Sequence, residues 1–205
     1  MAHPTASLKE VLSSPAADAA RVAAIFDALP LDGKVAAARS LHGARLQGHL
    51  WQAAATNPRI GVADMVPRDW PASRPILFHG KNSLPAFTEF RKVCFRPEGP
   101  AEPLVAWGYN DARVRPLVGA GYYVLHDTPD APLGGAAFDY TQLPSSTLPG
   151  WPPVRDNRRG LSFFVYANML DYMRRVADDV FIGSAVRGGR EMGSYFVVVR
   201  ELPGR

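Results

Sequence analysis

Between Phe87 and Phe95 the chain reads FTEFRKVCF, and the two-residue period of a strand places Phe87, Glu89, Arg91, Val93 and Phe95 on one face. A carboxylate and a guanidinium then share an apolar bracket. Ions are costly to bury unless paired, so such a face is either a structural ion pair or the polar floor of a pocket. In the pocket reading Glu89 moves a proton and Arg91 steadies negative charge. A second cluster, His79, Gly80, Lys81 and Asn82, comes after the apolar run PILF, where a strand passes into a loop and side chains can converge on a cavity mouth. His79 is there the other candidate acid or base, and Lys81 and Asn82 are candidate ligand-binding groups. An ordinary polar turn closed by Pro85 explains the same residues. Phe87, Trp107, Tyr109, Tyr122 and Tyr140 complete the set of candidate ligand contacts, since aromatic side chains offer a cavity area and, in Tyr, one hydroxyl. Plain core packing is their alternative.

Other chemistries find less footing. His126 and Asp127 are neighbours on a strand and point apart, so they cannot form a His–carboxylate contact with each other. The five histidines show no HxH, HxxxH or HExxH spacing, and no metal is expected. No GxSxG elbow occurs. The single cysteine, Cys94, excludes an internal disulfide and any Cys-based metal cluster; it lies opposite Glu89 and Arg91 and reads as a small buried hydrophobe.

The elements that must position these groups fall in two regimes. Residues 1–15 are polar and read as a mobile leader. Residues 16–56 read as a helical extension that packs on the barrel: one helix carries Val22, Ile25, Phe26 and Leu29, and a second runs from about Asp32 to Trp51. Residues 57–75 contain several prolines and read as a connector. From Pro75 the period becomes two, giving strands at 75–81, 87–96, 103–109, 120–127, 135–141, 179–187 and 194–201, the last two joined by a glycine turn at Gly188 and Gly189. Between strands five and six lie a Pro-rich loop around Trp151 and a predicted helix over about 160–177, from the helical spacing of Phe163, Tyr166, Leu170 and Met173. That stretch's end, LDYMRRV, fits a strand equally well. Seven strands and an eighth not separately resolved close an antiparallel barrel, with a sandwich as the alternative. The fold class is therefore mainly β with N-terminal helices (α+β), residues 57–205 forming the barrel.

With 205 residues, 47% of them hydrophobic, the chain can bury a sizeable core. Its formal charge of +4, from 23 basic and 19 acidic residues, is too scattered for a nucleic-acid footprint. The N-terminus lacks the apolar core of a signal peptide and no run approaches the ~18 apolar residues of a membrane span, so a cytoplasmic address and no membrane partner are expected.

The ending DDVFIGSAVRGGREMGSYFVVVRE resembles the final hairpin of lipocalin-like (calycin) barrels, in which a strand with a Gly-x-Ala step, a short glycine turn and an aromatic-rich closing strand come in succession. The family's N-terminal Gly-x-Trp is replaced by Gly48-His49-Leu50-Trp51, in a helical stretch. The longer span from FHGKNSLPAFTEFRKVCF to YFVVVRE is similar to a bacterial family that carries no activity with it. The calycin resemblance implies a ligand-holding cavity, occasionally recruited for isomerisation, cyclisation or decarboxylation; the ligand expected is small and largely apolar or aromatic, and no cofactor is expected. Four readings are open: such a binding barrel; a cofactor-free isomerase, cyclase or lyase built on the same barrel; a flavin-binding split barrel whose Arg and Lys grip phosphate; and an interaction module using the loop around Trp151. A homodimer is compatible with all four.

Overall fold

The computed structural model of the chain describes residues 4–99 and 103–204. Eight strands, β1 (Ile76–Asn82), β2 (Glu89–Phe95), β3 (Ala106–Asp111), β4 (Tyr123–Asp127), β5 (Ala136–Asp139), β6 (Met169–Ala177), β7 (Val180–Arg187) and β8 (Arg190–Glu201), each pair antiparallel with the next, and β8 returns to β1 to close a barrel. The fold class is the one expected, mainly β with helices ahead of the barrel, and its closed antiparallel architecture is compatible with a lipocalin-like fold.

The eighth strand lies where the sequence predicts a helix. Only Ser162–Tyr166 is helical, and Met169–Ala177 is β6. Asn168, at φ 56°, stops the helix in a left-handed turn, and β6 then finds backbone partners on both sides, in β5 and β7. Tertiary pairing outweighs a helical spacing that was only four residues deep.

The N-terminal region differs from expectation in two places. Pro4–Val11, within the predicted mobile leader, forms helix α1, and Leu8 and Leu12 are fully buried. The predicted long second helix is broken into α3 (Leu31–Arg39) and α4 (Gly43–Ala53), with Leu41 buried in the break and Gly43 at φ 78°. Ahead of them α2 (Ala19–Asp27) starts at Asp18, whose carboxylate accepts from the backbone N–H groups of Ala20 and Arg21 at 2.9 and 3.3 Å. Val22, Phe26, Leu41, Leu50 and Trp51 pack against the outward side chains of β6–β8, among them Val176, Val180, Ile182, Val197 and Val199. Strands buried on both faces read as unbroken apolar runs, which is why VFIGSAV and FVVV show no alternation. Each such side chain contributes about 1.5–3 kcal/mol through burial.

The connections β1–β2, β3–β4, β5–β6 and β7–β8 meet at one end of the barrel, here the upper mouth. The lower mouth is closed by Ile60, Val62, Met65, Val66 and Trp70, which join the interior core; Val62–Met65 is helix α5. Asp127 Oδ1 accepts from Val62 N at 2.6 Å and so fixes this plug. Over the upper mouth stand α6 (Arg115–Val118) and α7 (Ser162–Tyr166), linked by Ser162 Oγ donating to Val118 O at 2.6 Å.

Candidate functional site

Register decides what faces inward. Ile76 opposes Cys94, Phe78 opposes Lys92, and Gly80 opposes Phe90; Lys92 in turn opposes Asn110 on β3. Since directly paired residues share a face, the inward row of β2 is Phe90, Lys92 and Cys94. Glu89, Arg91, Val93 and Phe95 therefore point outward. Interior space is taken by rings: Phe78 meets Phe138 and Phe181 edge-on, and Tyr123 meets Phe138 at 4.8 Å. Two glycines make room for them. A Cβ on Gly80 would stand 2.5 Å from the Phe90 ring, and one on Gly183 would stand 2.1 Å from Phe196.

Into this apolar barrel the fold inserts one polar cluster. Lys92, 1% exposed, donates from Nζ to Asn110 Oδ1 at 3.1 Å, to Asp171 Oδ2 at 3.2 Å and to the Tyr140 hydroxyl. Tyr140 donates its own proton to Asp171 Oδ2 at 3.1 Å and accepts from Asn110 Nδ2 at 3.1 Å, while Asn110 also donates to Gly121 O at 3.0 Å. Five ring centroids surround the ammonium, the nearest that of Phe138 at 4.4 Å. A desolvated cation among ring faces is held by both its carboxylate and the ring quadrupoles.

Burial pushes the Lys92 ammonium below its ordinary pKa, against the pull of Asp171, and pushes the Asp171 carboxyl up, against the pull of Lys92. Burial likewise drives Tyr140 well above a free phenol, with the Asp171 charge adding to it. The Cys94 thiol, on the same strand face, rises to about 12 and is inert. Perturbed titratable groups of this kind, hydrogen-bonded to one another in a dry interior, mark a candidate site.

Above the cluster the Tyr166 ring stacks on Tyr140 at 5.3 Å, and Val118 and Met169 pack on the same core. Beside this cover a cleft of about 50 Å³ is lined by Tyr140, Thr141, Leu143, Asp156, Arg158 and Asn168. Tyr140 thus borders the cleft while its hydroxyl stays buried in the cluster.

Of the ten residues singled out from sequence, Tyr140 alone joins this cluster. The shared cavity expected for Glu89 and Arg91 is overturned by the register. Glu89 pairs with Arg39 of α3 at 3.2 Å, and Arg91 pairs with Asp111 at 2.5 Å, both on the exposed outer surface. His79 also faces outward, its Nε2 2.6 Å from Glu201 Oε2. Lys81 is buried outside the barrel wall beneath the helices, donating to Thr88 Oγ1 at 2.6 Å. Asn82 braces the β1–β2 turn through Leu84 N and Phe87 O, and Phe87 stands at the tip of that turn, 73% exposed. Trp107 packs edge-on against Phe95, and Tyr109 and Tyr122 lie under Trp151 and Val154 of the Pro-rich loop. That loop is thus an outer cover on β2–β4, fixed by the Tyr122 hydroxyl donating to Pro152 O.

Lys92, Asn110 and Asp171 are not among those ten. The opposite phase of the same β2 alternation brackets Lys92 between Phe90 and Cys94, a signal that offers it on equal terms with Arg91; Asp171 lies inside the stretch predicted as helix and gives none.

Two further polar groupings are accounted for structurally. At the lower mouth a cleft of about 350 Å³ is lined by Arg175, Arg200, Asp64, Asp178 and Asp179, but Arg175 pairs with Asp64, and Arg200 pairs with Asp179 at 2.6 Å and donates to Asp64 O and Met65 O. These contacts clamp α5 over the barrel. On the outer face His126 Nε2 is buried 3.4 Å from Asp139 Oδ2 on the neighbouring strand, a partner the sequence neighbour Asp127 could not be. Among the described residues no group of three His, Cys, Asp or Glu could hold a metal ion.

No protein-family model, no curated protein and no solved structure matches this chain.

Proposed function

We propose that the barrel binds a small, largely apolar or aromatic molecule that enters at the upper mouth and meets the Lys92–Asp171–Tyr140–Asn110 cluster with a polar group. The observation that carries this reading is the cluster itself: an ionic, hydrogen-bonded group in an aromatic interior, beside a cleft that Tyr140 borders. Apolar residues of the same volume would stabilise such a core as well or better, so an ion pair here points to use rather than to stability. The cleft beside Tyr140 has room for about one water molecule. Entry of a ligand therefore requires α7 to move aside, breaking the Tyr166–Tyr140 stack and the Ser162–Val118 hydrogen bond.

An environment-sensitive apolar fluorophore, competed by aromatic carboxylic acids, tests the reading, together with native mass spectrometry of the purified chain. Saturable binding that Lys92→Met and Tyr140→Phe weaken at least about tenfold supports it. A folded chain that binds no probe, or binds it equally in both variants, overturns it. The Tyr140 hydroxyl, placed between Lys92 and Asp171, also suits proton transfer, which favours an acid–base enzyme on the same barrel as a second reading. Turnover lost in Tyr140→Phe with binding retained distinguishes that reading from simple binding.

A further inference from the structure

Apart from Leu31, the exposed large apolar side chains of the described residues all lie in the connections at the upper mouth or the strand ends that enter them. The densest group is consecutive: in Arg158-Arg159-Gly160-Leu161-Ser162-Phe163-Phe164-Val165, two exposed arginines lead into Leu161, 46% exposed, Phe163, 49%, Phe164, 70%, and Val165, 38%. Leu117 of α6, 69% exposed, is held alongside through the Ser162–Val118 hydrogen bond, and Arg187 anchors the other side by donating to the carbonyls of Phe164 and Val165. At the β1–β2 tip Phe87 is held at φ 51°, a backbone conformation costly for a non-glycine residue, with its ring in solvent.

Acids and bases both border this patch, but the exposed charges left without an ion-pair partner are mostly basic. Arg113, Arg155, Arg159 and Arg190 are exposed, and among the described residues none of them has a carboxylate within ion-pair distance. The acids nearby are already engaged: Asp111 with Arg91 and Arg115, Asp156 with Arg158, and Glu89 with Arg39. Glu191 is the exposed exception.

We infer that the upper mouth seats itself on the surface of an anionic lipid bilayer, against the expectation of no membrane partner. Aromatic and aliphatic side chains enter the boundary between headgroups and acyl chains, and the unpaired guanidiniums meet lipid phosphates. A second copy of the chain is a poorer occupant, because a two-fold interface through this patch sets arginine against arginine. No described helix is long and apolar enough to cross a bilayer.

The test is co-sedimentation of the full chain with vesicles of phosphatidylcholine and phosphatidylglycerol in equal parts, beside vesicles of phosphatidylcholine alone. It reads vesicle association and needs no ligand in the barrel, so a barrel that binds nothing leaves it intact. Binding to the mixed vesicles that added salt weakens is expected. Arg113→Glu with Arg159→Glu should weaken it at least about twenty-five-fold, at about fivefold per arginine, and Phe163→Ser with Phe164→Ser about tenfold or more. Absence of binding, equal binding to both vesicle types, undiminished binding by folded variants, or a dimer that protects Phe163 and Phe164 from solvent overturns the inference. The salt titration of the unaltered chain decides the matter if a variant fails to fold.

Discussion

Removing one member of the Lys92–Asp171 pair should be far more damaging than removing both. At 3.2 Å and an effective dielectric of about 20, their attraction is about 5 kcal/mol, set against a desolvation cost of several kcal/mol for each ion. Lys92→Met leaves a buried carboxylate without its cation and should cost about 3–5 kcal/mol at neutral pH; Asp171→Leu should cost a similar amount for the opposite reason. The double variant should return to within about 1 kcal/mol of the parent or exceed it, since Asn110 and Tyr140 can still bond each other. The two single variants should also respond oppositely to pH. Burial already raises Asp171, and loss of Lys92 raises it further, so the Lys92→Met penalty should shrink as pH falls and the acid becomes neutral in the fold. Burial already lowers Lys92, so the Asp171→Leu penalty should shrink as pH rises and the ammonium sheds its proton. Urea unfolding of the four proteins across pH, monitored by tryptophan fluorescence, measures all of this. Single-variant losses below about 1 kcal/mol, or pH trends of the same sign, would show that the cluster is hydrated and the reasoning from burial mistaken.

The same geometry sets three further outcomes. Arg91→Ala should cost no more than about 1 kcal/mol in urea unfolding, because its pair with Asp111 lies in solvent; a loss near 3–5 kcal/mol would put it back in a buried site. Gly183→Ala forces a Cβ against the Phe196 ring and should cost about 1–3 kcal/mol, whereas Gly188→Ala, with open space around it, should show only the smaller backbone penalty of its positive φ. Burial alone would raise Asp139, but the His126 imidazole 3.4 Å away and hydrogen bonds from Thr141 and Gln142 outweigh it and bring the carboxyl down to about 2. Being lowered, it supports the fold above its unfolded pKa near 3.8 and loses about 2 kcal/mol as pH falls through 2. His126, raised by its contact with Asp139, supports the fold below pH 6.5 and loses that support as pH rises past its folded value. Thermal melts of the parent and His126→Leu should therefore differ at mildly acidic pH and converge in alkali; parallel curves would dissolve the pair.

The barrel was legible because strand alternation and glycine-rich turns are local signals, and seven of eight strands announce themselves that way. β6 hid because its apolar residues also satisfy a helical period and its partners lie about 30 and 10 residues away along the chain, which no local window weighs. The candidate site was half visible. FTEFRKVCF carries charges on both phases of its alternation, Glu89 and Arg91 on one and Lys92 on the other, each bracketed by apolar residues. Only the register with β1, in which Phe78 opposes Lys92, selects the inward phase. A one-residue slip in that choice exchanges every inward and outward side chain, which is why a correct strand produced a wrong site.

The strand β8 runs twelve residues, pairs with β7 along one edge and β1 along the other, and forms part of the floor on which α3 and α4 rest. It is also the last of the eight barrel strands to be made as the chain leaves the ribosome. Until it arrives, β1 and β7 hold open edges and the helices, synthesised before the barrel, have incomplete cover for their apolar faces. Closure must then join segments more than a hundred residues apart, a slow kind of step that leaves exposed edges prone to pairing with other chains meanwhile. Folding of this protein should therefore finish in one late event, with a nascent intermediate that profits from chaperone shelter, and lesions in β8 should lower the yield of soluble chain more than their effect on the finished barrel's stability accounts for.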